Sequence, residues 1–181
     1  MSSQIRRLSQ VTGEPKDVRS GSASVCAREE FSPIRYHWYP LAAESFAQAL
    51  RVMLAGSGLT PADQSHVFSE VAARMKKLAR AQLRPIHHVK GPMETVTGID
   101  VFEVLVRGEV GEDEDHDVLV RVYHAEPTKL RQLGGSTIIG LHMHIKDVSE
   151  PAQVRPKQNE ELQVARKRYF AGRPAQWGLT P

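Results

Sequence analysis

"STIIGLHMHIKDV", Ser136–Val148, decides how the rest of the chain is read. Ile138, Ile139, Leu141, Met143 and Ile145 mark it as a buried strand. A two-residue period puts Ile139, Leu141, Met143 and Ile145 on one face, and Gly140, His142, His144 and Lys146 on the other. Two imidazoles and an ammonium in one row are unusual where strands favour Val and Thr.

Two further strands precede it. "DVFEVLVR" begins at Asp100 and "DVLVRVYHA" at Asp117, joined by the acidic turn "GEVGEDEDHD". "EPTKLRQLGGS" leads from the second strand to the third, and such short connections predict an antiparallel meander. In the first strand Phe102, Val104 and Val106 form the apolar face, with Glu103, Leu105 and Arg107 opposite. In the second, Val118, Val120 and Val122 are apolar, with Leu119, Arg121 and Tyr123 opposite. The non-apolar sides predict one wet face holding Glu103, Arg107, Arg121, Tyr123, His142, His144 and Lys146. Same-face neighbours lie about 7 Å apart along a strand, so these side chains span a patch of a nucleotide or two.

Helical spacing flanks the sheet. Phe46, Leu50, Met53 and Leu54 share one helix face, and Gly56 and Gly58 end it. Thr60 as N-cap, Pro61 at the first helical position and Asp63 near the positive dipole end open a second helix, whose apolar face is Val67, Val71, Met75 and Leu78. A last helix is predicted over residues 157–171, with Leu162, Ala165 and Tyr169 on one side and Gly172 as C-cap. The expected fold is α+β: an N-terminal helical hairpin packed on a small antiparallel β-sheet, closed by a C-terminal helix. Residues 1–35 read as a flexible basic arm, 36–172 as the domain and 173–181 as a tail.

The chain has 181 residues and a net charge of +3, and 40% of it is hydrophobic, enough for a core. No apolar run reaches the length of a membrane span, and no secretory h-region follows the first Met. The single cysteine, Cys26, excludes an intrachain disulfide and fits a cytoplasmic protein; it reads as an exposed thiol in the arm. "RMKKLAR", "RPIHHVK" and "ARKRYFAGR" concentrate positive charge.

The wet face suits RNA cleavage without a metal. Histidine takes or gives a proton near neutral pH, arginine holds phosphate oxygens through two donors, and tyrosine stacks on bases. A merely solvated polar face explains any one of these residues equally well. A metal site is the alternative use of His-x-His, but zinc and non-haem iron want three or four ligands. His124 has buried parity, and His87 and His88 sit in a connection. No metal and no cofactor is therefore expected.

In order and spacing the chain resembles the RelE superfamily of toxin ribonucleases, in its HigB-like, phage-related branch. "VRVY" supplies Arg121 and Tyr123, "LHMHIKD" supplies Leu141, His142 and Lys146, and "ELQVARKR" supplies Glu161, Leu162, Ala165 and Arg168. His144 stands where that pattern has Phe, Asp147 where it has a second Lys, and Leu105 where it has Arg. The resemblance implies a toxin of a type II toxin–antitoxin system that cleaves ribosome-bound messenger RNA by 2′-OH attack. It implies Arg121, Tyr123, His142 and Lys146 as catalytic residues, and a cognate antitoxin of helix-turn-helix type. Arg107, His144, Lys90 and His88 are the RNA-binding candidates. A non-catalytic RNA- or protein-binding module using the same face is the second expectation.

Overall fold

A computed structural model of the chain describes residues 20–39, 45–110, 117–146 and 154–179. After two short 3-10 turns (Val25–Ala27 and Glu29–Phe31) the described chain enters its first strand, β1 (Ile34–Trp38). Helices α1 (Phe46–Ala55) and α2 (Pro61–Ala79) follow, then strands β2 (Val89–Lys90), β3 (Val101–Glu109), β4 (Asp117–Ala125) and β5 (Ser136–Lys146), and finally helix α3 (Val154–Gly172). The strands form one five-stranded sheet in the order β1-β5-β4-β3-β2. β1 runs parallel to β5 and the other pairs are antiparallel.

The helix starts follow from their caps. Ser45 accepts from the Gln48 amide and Thr60 from the Asp63 amide, each satisfying a donor that the first turn leaves free. Leu50 and Leu54 of α1, with Val67, Val71 and Leu78 of α2, then pack on one face of the sheet against Phe102, Val104, Val106, Val120, Val122 and Ile138. α3 packs on the opposite face, where Leu162, Ala165 and Tyr169 meet Val101, Tyr123, Ala125, Ile139 and Leu141. The result is three layers, with the sheet in the middle.

Four expectations change. The helical hairpin is not N-terminal and the sheet is not purely antiparallel: "IRYHW" is a strand ahead of both helices, and it lies parallel to β5. Ile34, Tyr36 and Trp38 alternate toward the hairpin core, so its short length hid a true period-two pattern. The second change concerns the wet face, which is roofed by α3. The third concerns β5. Tyr123 pairs with His142 but His124 pairs with Gly140, leaving Leu141 as an extra bulged residue. Ile139 and Leu141 therefore face α3, whereas Met143 and Ile145 face the hairpin.

Fourth, the arm is packed from Ser20 onward. Val25, Cys26 and Ile34 are in the core, and the Cys26 thiol has no exposure. The part of the arm at 1–19, the middle of the acidic turn at 111–116 with His116, and Asp147 lie outside the described residues. Beyond α3 the chain turns back through Trp177, which is buried and donates its indole N–H to the Tyr169 carbonyl at 3.0 Å. Among the described residues no helix is long and apolar enough to cross a membrane.

Candidate functional site

The unbroken alternation of β3 and β4 delivers Glu103, Arg121 and Tyr123 to the α3 side. The bulge in β5 returns His142, His144 and Lys146 to the same side. α3 answers with Gln158, Glu161 and Arg168, one stripe of the helix at spacings of three and seven residues.

Glu103 and Arg121 form a buried ion pair, Nη1 to Oε2 at 3.0 Å, with exposures of 2% and 8%. Gln158 donates to the same carboxylate oxygen at 3.1 Å. Burial pushes the Glu103 pKa up, and the Arg121 charge opposes that shift. Tyr123 lies beneath α3 with no exposure; burial, and then the Glu103 charge, raise its phenol well above the ordinary range.

His142 is fixed from both sides. Arg168 Nη1 donates to His142 Nδ1 at 2.9 Å and to the Leu141 carbonyl at 3.0 Å. A guanidinium only donates, so Nδ1 accepts and the ring proton sits on Nε2, which donates to Glu161 in a short bond. Both nitrogens are thus occupied, and burial lowers the His142 pKa.

His144 is the contrasting imidazole. Its Nδ1 stands 3.7 Å from the same Glu161 oxygen, too far for a well-formed hydrogen bond, and has no other partner among the described residues. Burial pushes its pKa down to about 4; Glu161 opposes this, while His142 and Arg121 add to it. The ring is therefore neutral at pH 7.

A groove of about 190 Å³ opens beside it, between the end of β5 and the first half of α3, lined by Arg121, His144, Lys146, Lys157 and Glu160. A larger hollow of about 570 Å³ adjoins it through Arg121 and Gln158, and Lys90, Glu103 and Arg155 reach its walls. Arg121, Tyr123, His142, His144, Lys146 and Lys90 thus converge as expected from sequence, although Tyr123 is sealed from solvent.

Arg107 and His88 do not join them. Arg107 is at the far end of β3, paired with Asp117 at 3.2 Å. His88 lies with Arg74, Lys77 and Arg84; burial and those charges hold its pKa at about 4. Lys157, Arg155 and Gln158 had no role in the sequence-based expectation. The spacing of Gln158, Glu161, Ala165 and Arg168 on one helix face was the signal that could have placed α3 across the site.

No family model, curated protein or solved structure matches this chain. The site must be read from its own chemistry.

His142, His144 and Glu161 present three donor atoms within 4.8 Å of one another, the count of a facial metal triad. A ligating histidine directs its second ring N–H to an acceptor. The second nitrogen of His142 instead faces the Arg168 guanidinium, which fixes the proton on the nitrogen a metal would need. The donor set fits a hydrogen-bonded cluster better than a metal centre.

The depressed His144 pKa has a consequence for stability. Between pH 6.5 and about 4 the unfolded chain binds this proton and the folded chain does not, so stability rises with pH across that window. The contribution is at most about 3 kcal/mol, with Arg121, His142, Tyr123 and Glu161 facing the ring. Urea midpoints at pH 4.5 and 7 should lie closer together in His144→Gln than in the parent chain. An unchanged gap would contradict the assignment.

Proposed function

We propose that the chain is a metal-independent endoribonuclease, the toxin of a type II toxin–antitoxin pair, that cleaves messenger RNA in the groove between β5 and α3. The observation that carries this reading is His144, a neutral imidazole whose Nδ1 has no hydrogen-bond partner among the described residues, set between Arg121 and Lys146 at an open groove. Its lone pair takes the 2′-OH proton of a bound ribose. The 2′-oxygen then attacks the adjacent phosphorus and the P–O5′ bond breaks. The departing oxygen takes a proton from solvent, leaving a 2′,3′-cyclic phosphate and a 5′-hydroxyl. Lys146 neutralises the charge gathering on the phosphorane.

Other features support an RNA partner. Arg74, Lys77, Arg84 and His87 cluster around His88, two residues from Lys90 in the wall of the larger hollow. Such a patch supplies salt-dependent phosphate contacts. The likeness of "VRVY", "LHMHIKD" and "ELQVARKR" to the RelE superfamily supports messenger RNA as substrate and a cognate antitoxin as partner. In this reading His142 is a positioning residue that holds Glu161, and His144 takes the proton-transfer role. The burial of Tyr123 and Arg121 under α3 favours the second reading, a module that binds RNA along the groove rim without cutting it.

The test is 5′-end mapping of cellular RNA after a brief induced pulse, comparing the parent chain with Lys146→Ala. New ends in frame within open reading frames, lost in the variant, are the expected result. Ends without frame would mean a ribosome-independent nuclease. No new ends, together with salt-sensitive RNA binding, would replace the nuclease with the binding module.

A further inference from the structure

On the hairpin side of the sheet, away from the groove, three metal-ligating side chains meet in the core. Cys26 comes from the short 3-10 turn Val25–Ala27, His124 from the end of β4, and Glu126 from the residue after that strand. Their exposures are 0%, 0% and 3%. We propose that Cys26, His124 and Glu126 form a closed site for one zinc-class divalent ion that ties the N-terminal segment to the sheet.

The distances suit it. Cys26 Sγ is 3.8 Å from His124 Nε2, and His124 Nε2 is 3.0 Å from Glu126 Oε1. Tetrahedral zinc, with a sulfur at about 2.3 Å and a nitrogen at about 2.0–2.1 Å, holds those two donors roughly 3.6 Å apart and its N/O donors roughly 3.3 Å apart. All three donor atoms lie within 4.8 Å of one another.

The charge balance suits it too. A thiolate and a carboxylate match the charge of a divalent ion. The Arg131 guanidinium beside that carboxylate is partly exposed, so its charge is met by solvent and by Asp100 rather than left unpaired in the core. On binding, the Cys26 thiol releases its proton to solvent as the S–metal bond forms. The His124 proton moves to Nδ1, which is buried with no acceptor among the described residues. The ring thus lacks the outer partner that a ligating imidazole usually has, and the fit rests on the donor distances and the held carboxylate.

The carboxylate is already oriented. Ser24 Oγ donates to Glu126 Oε1 at 2.5 Å, the Val25 amide donates to Oε2 at 3.0 Å, and Arg131 stands 3.5 Å from Oε2. Such outer contacts are what hold a ligating carboxylate in place. A further polar group points to the same region. The Tyr36 hydroxyl is buried without a hydrogen-bond partner and sits over Gly140, where any Cβ would collide with it. Gly140 is the residue paired with His124, so the phenol is the candidate fourth donor. The site is structural and takes no part in the chemistry proposed for the groove.

Because Cys26 is the only cysteine, thiolate spectroscopy reports on this site alone. Full-length protein purified without metal-affinity resin should carry one zinc per chain. After chelation, titration with Co²⁺ should give a near-ultraviolet thiolate-to-metal charge-transfer band that saturates at one equivalent. The band should vanish in Cys26→Ser and persist in His142→Ala. The parent spectrum decides the matter even where Cys26→Ser does not fold. Folded parent protein with no stoichiometric zinc and no such band would overturn the site and leave Glu126 as a hydrogen-bonded pin. Metal bound without the band, and lost in His142→Ala, would overturn it equally.

Discussion

In the proposed ribonuclease, replacing His144 with glutamine should lower RNA cleavage by roughly 10²–10⁴-fold, the range for removing a general base, without loss of the native fold. Nδ1 has no hydrogen-bond partner among the described residues, so glutamine breaks no bond there. Burying an imidazole that resists protonation is itself unfavourable in acid, so the substitution relieves rather than adds strain there. The measurement is single-turnover cleavage of a short RNA in the presence of a chelator.

Two side observations separate catalysis from binding. The cleavage rate of the parent chain should hold from neutral pH down to about 4 before it falls, because His144 stays neutral that far. Lys146→Ala should weaken both RNA binding and cleavage, whereas His144→Gln should spare binding. Equal cleavage by the parent and His144→Gln would sink the assignment of the base.

The largest effect on stability is expected at Arg121. Arg121→Met leaves Glu103 buried beside Gln158 without its cation, and removing one partner of a buried pair costs about 3–5 kcal/mol. For a chain of this size that is about 10 °C of thermal midpoint. Glu103 has an escape, since burial already raises its pKa and it takes up a proton once the guanidinium is gone. The variant's folded state then holds a proton that its unfolded state has lost, so its stability falls as pH rises above the ordinary carboxylate range. The double variant Glu103→Leu/Arg121→Met should recover most of the loss, read from thermal midpoints across pH. A single variant as stable as the parent would show that the pair contributes nothing. An inactive Arg121→Ala protein would thus say little about phosphate binding unless its folding were measured alongside.

Sequence and structure agree where local rules suffice. Ser45 and Thr60 fix the helix starts, and β3 and β4 keep strict alternation, so the grouping of Glu103, Arg121 and Tyr123 was legible. β5 kept its polar row but not its apolar one. A bulge at Leu141 is set by pairing with β4, and nothing in "GLHMH" announces it. β1 was missed because a five-residue strand flanked by prolines carries little pattern, and its partner comes far later in the chain. The apolar remainder on the supposed wet face, Leu105, Leu119 and Tyr123, was the clue that something covers it. Cys26, His124 and Glu126 could not be linked from sequence, because their meeting depends on the packed N-terminal turn.

The parallel pairing of β1 with β5 also governs how the chain is made. Ile34 meets Ser136, roughly a hundred residues later, so β1 emerges in synthesis long before its partner. Until Lys146 is out, one edge of β4 is unpaired and the hairpin core lacks Ile138 and Met143. Contacts of such long separation slow folding. Nascent chains shorter than this should be protease-sensitive and inert, and protection should arrive in one late, cooperative step.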